Sequence, residues 1–169
     1  MSHRPRSRFE KPTPVHVTLR VREHVWNLRS RRSFRRIVSC FEKSCGRFGA
    51  RLIEFAVQGN HLHLIVEADD NASLSRAMQG LCIRIAKALN AMMERPGAVF
   101  ADHYHSRLLK TPSELVNAIR YVLGNFAHHF GHAIVDPFSS AVVREGVLAD
   151  PVSWLLRVGW KRAAMLRSG

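Results

Sequence analysis

Two histidine pairs, two tyrosines and one amide hold most of the chemistry this chain can offer. His61 and His63 stand two residues apart in the apolar run Asn60-His61-Leu62-His63-Leu64-Ile65-Val66. On an extended chain they project to one side, where two neutral imidazoles can grip a single metal ion. The His-x-His pattern is short, and two ordinary exposed histidines would read the same way. A second pair, His103 and His105, flanks Tyr104 and reduces what either pair says in isolation. Tyr121 is followed one helical turn later by Asn125, so on a helix a phenol and an amide share a side. A phenol is a phosphorus nucleophile that needs help to lose its proton, its ordinary pKa being about 10. A plain surface tyrosine is the alternative.

The elements that would position these groups follow from periodicity. Residues 15–21 alternate strictly, with Val15, Val17, Leu19 and Val21 on one side and His16, Thr18 and Arg20 on the other, which predicts a strand. Apolar positions at three- and four-residue intervals predict an amphipathic helix over 33–48, stopped at Gly49. Residues 51–57 and 61–67 read as two strands joined at Gln58-Gly59-Asn60. A long helix is expected from Asn71 as cap to Arg95, ended by Pro96 and Gly97, and a fourth strand over 99–109. Thr111-Pro112-Ser113-Glu114 is a capping box opening a third helix to about Phe130. Gly124 costs that helix up to about 1 kcal/mol, so it could continue or loosen there. The order predicts a ferredoxin-like, RRM-like α+β sandwich, β-α-β-β-α-β, with a further helix and a tail.

This plan sorts side chains by face. If Leu62, Leu64 and Val66 face the helix-covered core, then His61, His63 and Glu67 face away, joined by His16, Thr18 and Arg20 when the first strand lies centrally. Leu115, Val116, Ile119, Val122, Leu123 and Phe126 form the buried stripe of the third helix, leaving Tyr121 on nearly the opposite side. Residues 1–13 are expected to be a basic disordered arm and 14–132 the main domain. Residues 133–169 form a tail that begins as a turn-rich linker at Asp136-Pro137-Phe138 and ends in a short docking helix around Trp154 and Trp160.

Charge points to the partner. The 169 residues include 26 Lys and Arg against 13 Asp and Glu, a formal net charge of +13, which suits a polyanion such as nucleic acid. No secretory signal precedes the first strand and no stretch is long enough to span a bilayer, so no membrane partner is expected. Cys40, Cys45 and Cys82 lack metal-ligand spacing and fall on apolar stripes, as reduced cytosolic thiols would.

Together these residues form a recognisable set. Asn60 to Val66 resembles the histidine-hydrophobic-histidine strand of the HUH endonucleases, and Tyr121 with Asn125 resembles their nucleophile helix. His16-Val17-Thr18-Leu19-Arg20, Val99 to His105 and Asp136 to Ala141 extend the likeness, in order, to the REP-associated tyrosine transposases, over about residues 15–160. The resemblance implies a metal-dependent nickase and strand transferase acting on single-stranded or hairpin-forming DNA through a 5′-phosphotyrosine at Tyr121. It implies one divalent ion, magnesium or manganese, held by His61, His63 and Asn125, with Glu67 and Asp69 open as alternatives to the last. Arg20, Arg107 and Arg120 are candidate phosphate contacts, a bacterial nucleoid-associated cytoplasmic location follows, and monomer and homodimer are both open. The rival reading is a non-catalytic module that binds single-stranded or hairpin nucleic acid. Such modules stack bases on sheet aromatics, and the expected open face of the first and third strands carries none.

Overall fold

Alternation in the chain becomes a four-stranded sheet with two differently used faces. The computed structural model describes residues 6–44, 46–47, 49–130 and 135–167, with side chains for all of these except 125–130 and 167. The elements are β1 (Thr13–Arg20), α1 (Arg31–Ser44), β2 (Ala50–Val57), β3 (His61–Ala68), α2 (Asn71–Met93), β4 (His105–Leu108) and α3 (Pro112–Phe130). A five-residue π-helical turn at Leu155–Gly159 then runs into α4 (Trp160–Arg167). Strand order β2-β3-β1-β4, with β1 and β3 central and every neighbouring pair antiparallel, is the ferredoxin-like arrangement expected from the sequence. Among the described residues no helix is long and apolar enough to cross a membrane.

The larger core lies under α1 and α2. Val15, Val17 and Leu19 of β1 and Leu62, Leu64 and Val66 of β3 pack there with Ile37 and Phe41 of α1 and Met78, Ile85 and Leu89 of α2. Cys40 belongs to this core and Cys82 packs against it, with burial raising both thiol pKa values, that of Cys82 to about 11. Cys45 and Phe48, expected on α1, lie outside the described residues.

The opposite face is not the open polar surface expected. Part of it is a second core, where α3 lays Leu115, Ala118, Ile119 and Val122 over Ile53, Ala56 and Ile65, and Leu156 from the tail completes the cluster. A bulge between Leu52 and Glu54 shifts the β2 register, and from there Phe55 pairs with Leu64 and belongs to the larger core.

Several local expectations are corrected. Asp70, not Asn71, caps α2: its carboxylate accepts the Ser73 amide at 2.7 Å. Asn71 instead accepts the Phe9 amide at 2.7 Å and donates to the Ser7 carbonyl, and Phe9 is buried in the larger core, so this stretch of the basic arm is tied down. The fourth strand is only four residues long because Ala101, Asp102 and His103 bend away. Pairing resumes beyond that bend as an isolated bridge between Val21 and Phe100.

The tail is docked rather than free. Asp136 pairs with Arg29 at 3.0 Å, the Val57 amide donates to the Phe138 carbonyl, and Ser139 bridges Ala56, so the tail closes the β2 edge of the sheet. Ser140 and Arg144 both bind Glu54. Glu67, expected on the metal face, is fully buried and structural: it pairs with Arg51 at 2.7 Å and accepts the amides of Val152 and Ser153 at 2.8 and 2.9 Å. Burial alone would raise its pKa, but the Ser153, Val152 and Arg51 hydrogen bonds outweigh this and hold it below the usual range.

Asp69 is likewise taken by Arg51 at 2.7 Å. Arg51→Met would leave the Glu67 charge buried without its cation and is expected to cost about 3 kcal/mol in urea unfolding. A variant as stable as the parent would show that the two tail amides satisfy Glu67 without Arg51.

Candidate active site

Cross-strand register assembles the site. Thr18 of β1 lies between His63 of β3 and His105 of β4, Arg20 lies opposite His61, and His16 lies opposite Arg107. Directly paired residues share a face, so these side chains line one wall of a cleft of about 930 Å³. Glu114, Asn117, Ala118 and Tyr121 of α3 line it from above, and Asp102 and His103 from the bend before β4. Helix α3 begins as the sequence predicts: the Glu114 amide donates to the Thr111 hydroxyl, and the Glu114 carboxylate accepts the Thr111 and Lys110 amides. It continues through Gly124, and its apolar stripe turns Tyr121 away from the core, where the phenol is 51% exposed.

The rings of Tyr121 and His63 meet edge to face with centroids 5.1 Å apart, and His61 stands 4.8 Å from His63, nearly perpendicular. His16 completes the cluster at 5.2 Å from His63 and 5.9 Å from Tyr121. His63 is far more enclosed than an open sheet face implies, at 4% exposure. The amide oxygen of Asn60 can only accept, so at 2.7 Å it takes the Nδ1–H of His61 and leaves that ring's Nε2 lone pair free. Nε2 of His63 is buried and has no hydrogen-bond partner. His103 and His105 also line the cleft, but on its far side, with Thr18 between His105 and His63.

All three clustered imidazoles favour the neutral form. Burial, then the charges of His61 and His16, lower the His63 pKa to about 4. Burial and Arg20 lower that of His61, and burial and Arg107 that of His16. Neutral imidazole is the state that binds metal. Among the described residues no trio of His, Cys, Asp or Glu could hold a metal ion. Asn125 sits one turn beyond Tyr121 on the helical backbone of α3, and its side chain lies outside those described. Of the arginines singled out, Arg20 and Arg107 line the cleft, whereas Arg120 is exposed on α3 and does not.

His16 and Asn60 were visible on the expected strand and turn, but no role could be given them without the register. Asn117, one turn before Tyr121 on the same side of the helix, and Asp102, within the Val99 to His105 likeness, have sequence positions that suggest no particular role.

The fold and the cleft together fit the class of transposases, enzymes that break and join DNA by phosphoryl transfer. The family profile described as "Transposase IS200 like" matches residues 13–125, and the chain belongs to that family. Among solved structures it is similar to a REP-associated tyrosine transposase bound to a REP hairpin, with a TM-score of 0.63 at 15% identity over 90% of this chain and 92% of that one. It is also similar to a candidate transposase from Deinococcus radiodurans, with a TM-score of 0.50 at 10% identity over 78% and 100% of the two chains. At such identities the likeness is one of fold. None of the curated proteins matches.

The histidine environment has a testable pH signature. A lowered imidazole pKa means that the unfolded chain binds more protons than the folded one. The stability it contributes is therefore complete above the ordinary value of 6.5 and lost as the pH falls from there towards about 4. An NMR titration should give His63 a midpoint near 4, with unfolding free energy declining over the same range. A midpoint at or above 6.5 would mean the ring is open to water.

Proposed function

We propose that the protein is a metal-dependent single-strand DNA endonuclease and strand transferase, acting on hairpin-forming DNA with Tyr121 as nucleophile. The observation that carries this reading is the edge-to-face contact of Tyr121 with His63 at 5.1 Å, in a cleft that His61 shares. A REP hairpin bound by the structural relative supports the choice of a hairpin partner.

The residues present fit a divalent cation. His63 offers a buried Nε2 with nothing bonded to it, His61 offers a free Nε2, and both rings favour the uncharged state. His61, His63 and the Asn125 amide would hold the ion, and two nitrogen donors suit manganese better than magnesium. Bound there, the cation would supply Lewis acidity to a phosphoryl oxygen.

The chain's own residues do the rest. Tyr121 Oη bonds to phosphorus while the bond to the 3′ oxygen breaks; the phenol gives up a proton and the departing oxygen takes one. The protein is left with a 5′-phosphotyrosine and the DNA with a free 3′-hydroxyl. Attack by another 3′-hydroxyl reverses the step and joins strands, with bond energy conserved and no nucleotide cofactor needed. Arg20 and Arg107 would hold phosphates within the cleft and Arg120 the strand outside it, which makes affinity salt-dependent. An enzyme of this kind works at the nucleoid.

Tyr121→Phe is expected to abolish the SDS-stable protein–DNA adduct formed on a hairpin oligonucleotide with manganese, with hairpin affinity in gel-shift titration changed less than about threefold, a difference under 1 kcal/mol. His61→Ala and His63→Ala should each remove manganese-dependent cleavage and His103→Ala should not. Adduct at parental yield in Tyr121→Phe, or cleavage lost only on changing His103, would contradict the assignment. Hairpin binding without adduct in the parent protein would make it a binding module.

A further inference from the structure

We propose that His16 is a positioning residue for His63: its Nε2 accepts the Nδ1–H of His63, fixing the tautomer that keeps the His63 Nε2 lone pair available. The use of that lone pair for a metal rests on the function proposed above; the hydrogen bond itself does not.

Nε2 of His16 and Nδ1 of His63 lie 3.1 Å apart, so a single hydrogen lies between them. If His16 donated it, His63 would carry its own hydrogen on Nε2, a buried N–H with no acceptor. An unmet buried donor forfeits a hydrogen bond at full desolvation cost. If His63 donates, Nε2 is left as a bare lone pair, and under-satisfied acceptors are tolerated better than orphaned donors.

The neighbouring ring follows the same rule. His61 gives its Nδ1–H to Asn60 Oδ1, so both imidazoles would present Nε2 together. Ligand histidines are commonly oriented through the other ring nitrogen in this way. Thr18 Oγ1 also approaches the same Nδ1, at 3.4 Å, a longer and weaker contact than that of His16 at 3.1 Å.

The fold holds His16 firmly for this task. It occupies the middle of a central strand, between Ile65 of β3 and Arg107 of β4, and lies diagonally across from His63. Its ring also meets Tyr121 at 5.9 Å, so one side chain touches both a proposed ligand and the proposed nucleophile.

The test uses metal-free full-length protein labelled on its histidine nitrogens. Long-range proton–nitrogen NMR at neutral pH separates protonated from bare ring nitrogens. His63 in the parent protein is expected to show hydrogen on Nδ1 and a bare Nε2. In His16→Phe, which keeps a ring but no acceptor, the His63 tautomers should mix, and manganese affinity measured by calorimetry should fall roughly tenfold to a hundredfold. His16→Gln, whose amide oxygen can accept, should restore most of both.

A parent protein with the hydrogen on His63 Nε2 would overturn the proposal, and that spectrum decides even if His16→Phe does not fold. An unchanged tautomer in folded His16→Phe would overturn it as well. The predicted tautomer in a parent that binds no manganese would uphold the His16 to His63 bond and refute the metal reading instead.

Discussion

The antiparallel register between β1 and β3 is the constraint on which the site depends. It sets Thr18 opposite His63 and Arg20 opposite His61, and it brings His16 to a diagonal from which its ring can reach His63. A slip of one residue would send His16 and Thr18 into the core and Val17 into the cleft. Val15, Val17 and Leu19 packed against Leu62, Leu64 and Val66 make that slip costly, so the apolar half of each strand secures the placement of its polar half. Helix α3 then needs only one apolar stripe, seated on Ile53, Ala56 and Ile65, to bring Tyr121 over the histidines.

The charges around the cleft serve two ends. Burial opposes protonation of all three rings, and the charges of Arg20 and Arg107 add to it at His61 and His16. The same guanidinium groups line a cleft suited to a polyanionic strand, in a chain with a formal net charge of +13. Four of the 13 acidic residues are engaged elsewhere: Glu67 and Asp69 are paired with Arg51, Asp136 with Arg29, and Glu54 with Arg144. These pairs anchor the tail and the sheet edge, and they keep those four carboxylates out of a cleft lined by imidazoles, a phenol and cations together with Asp102 and Glu114.

Periodicity made the strands, the faces of Leu62 and His63, and the exposure of Tyr121 legible in the sequence, because each follows from local geometry. The capping box at Thr111 and Glu114 was equally local. What the sequence did not disclose is non-local. The partnership of Arg29 with Asp136 spans 107 residues, and it turns an apparent linker into cover for β2. The confinement of His63 depends on where α3 docks, and the roles of His16 and Asn60 depend on contacts that no spacing rule encodes. Asp70 and Asn71 are adjacent residues of equal capping quality, so composition could not choose between them. Glu67 shares a strand with the two histidines, and only the docked tail shows why it is absent from the cleft.

The central claim is that the phenol of Tyr121, and no other group, becomes joined to DNA. The chain has two tyrosines, and the other, Tyr104, is engaged by Arg6 at the edge of the larger core. Peptide mapping by mass spectrometry of the protein after reaction with single-stranded hairpin DNA and manganese, followed by nuclease digestion, identifies the attachment point directly. A 5′-phosphorylated nucleotide remnant on the peptide carrying Tyr121 is the predicted result. A remnant on Tyr104 or on any other residue would contradict the account.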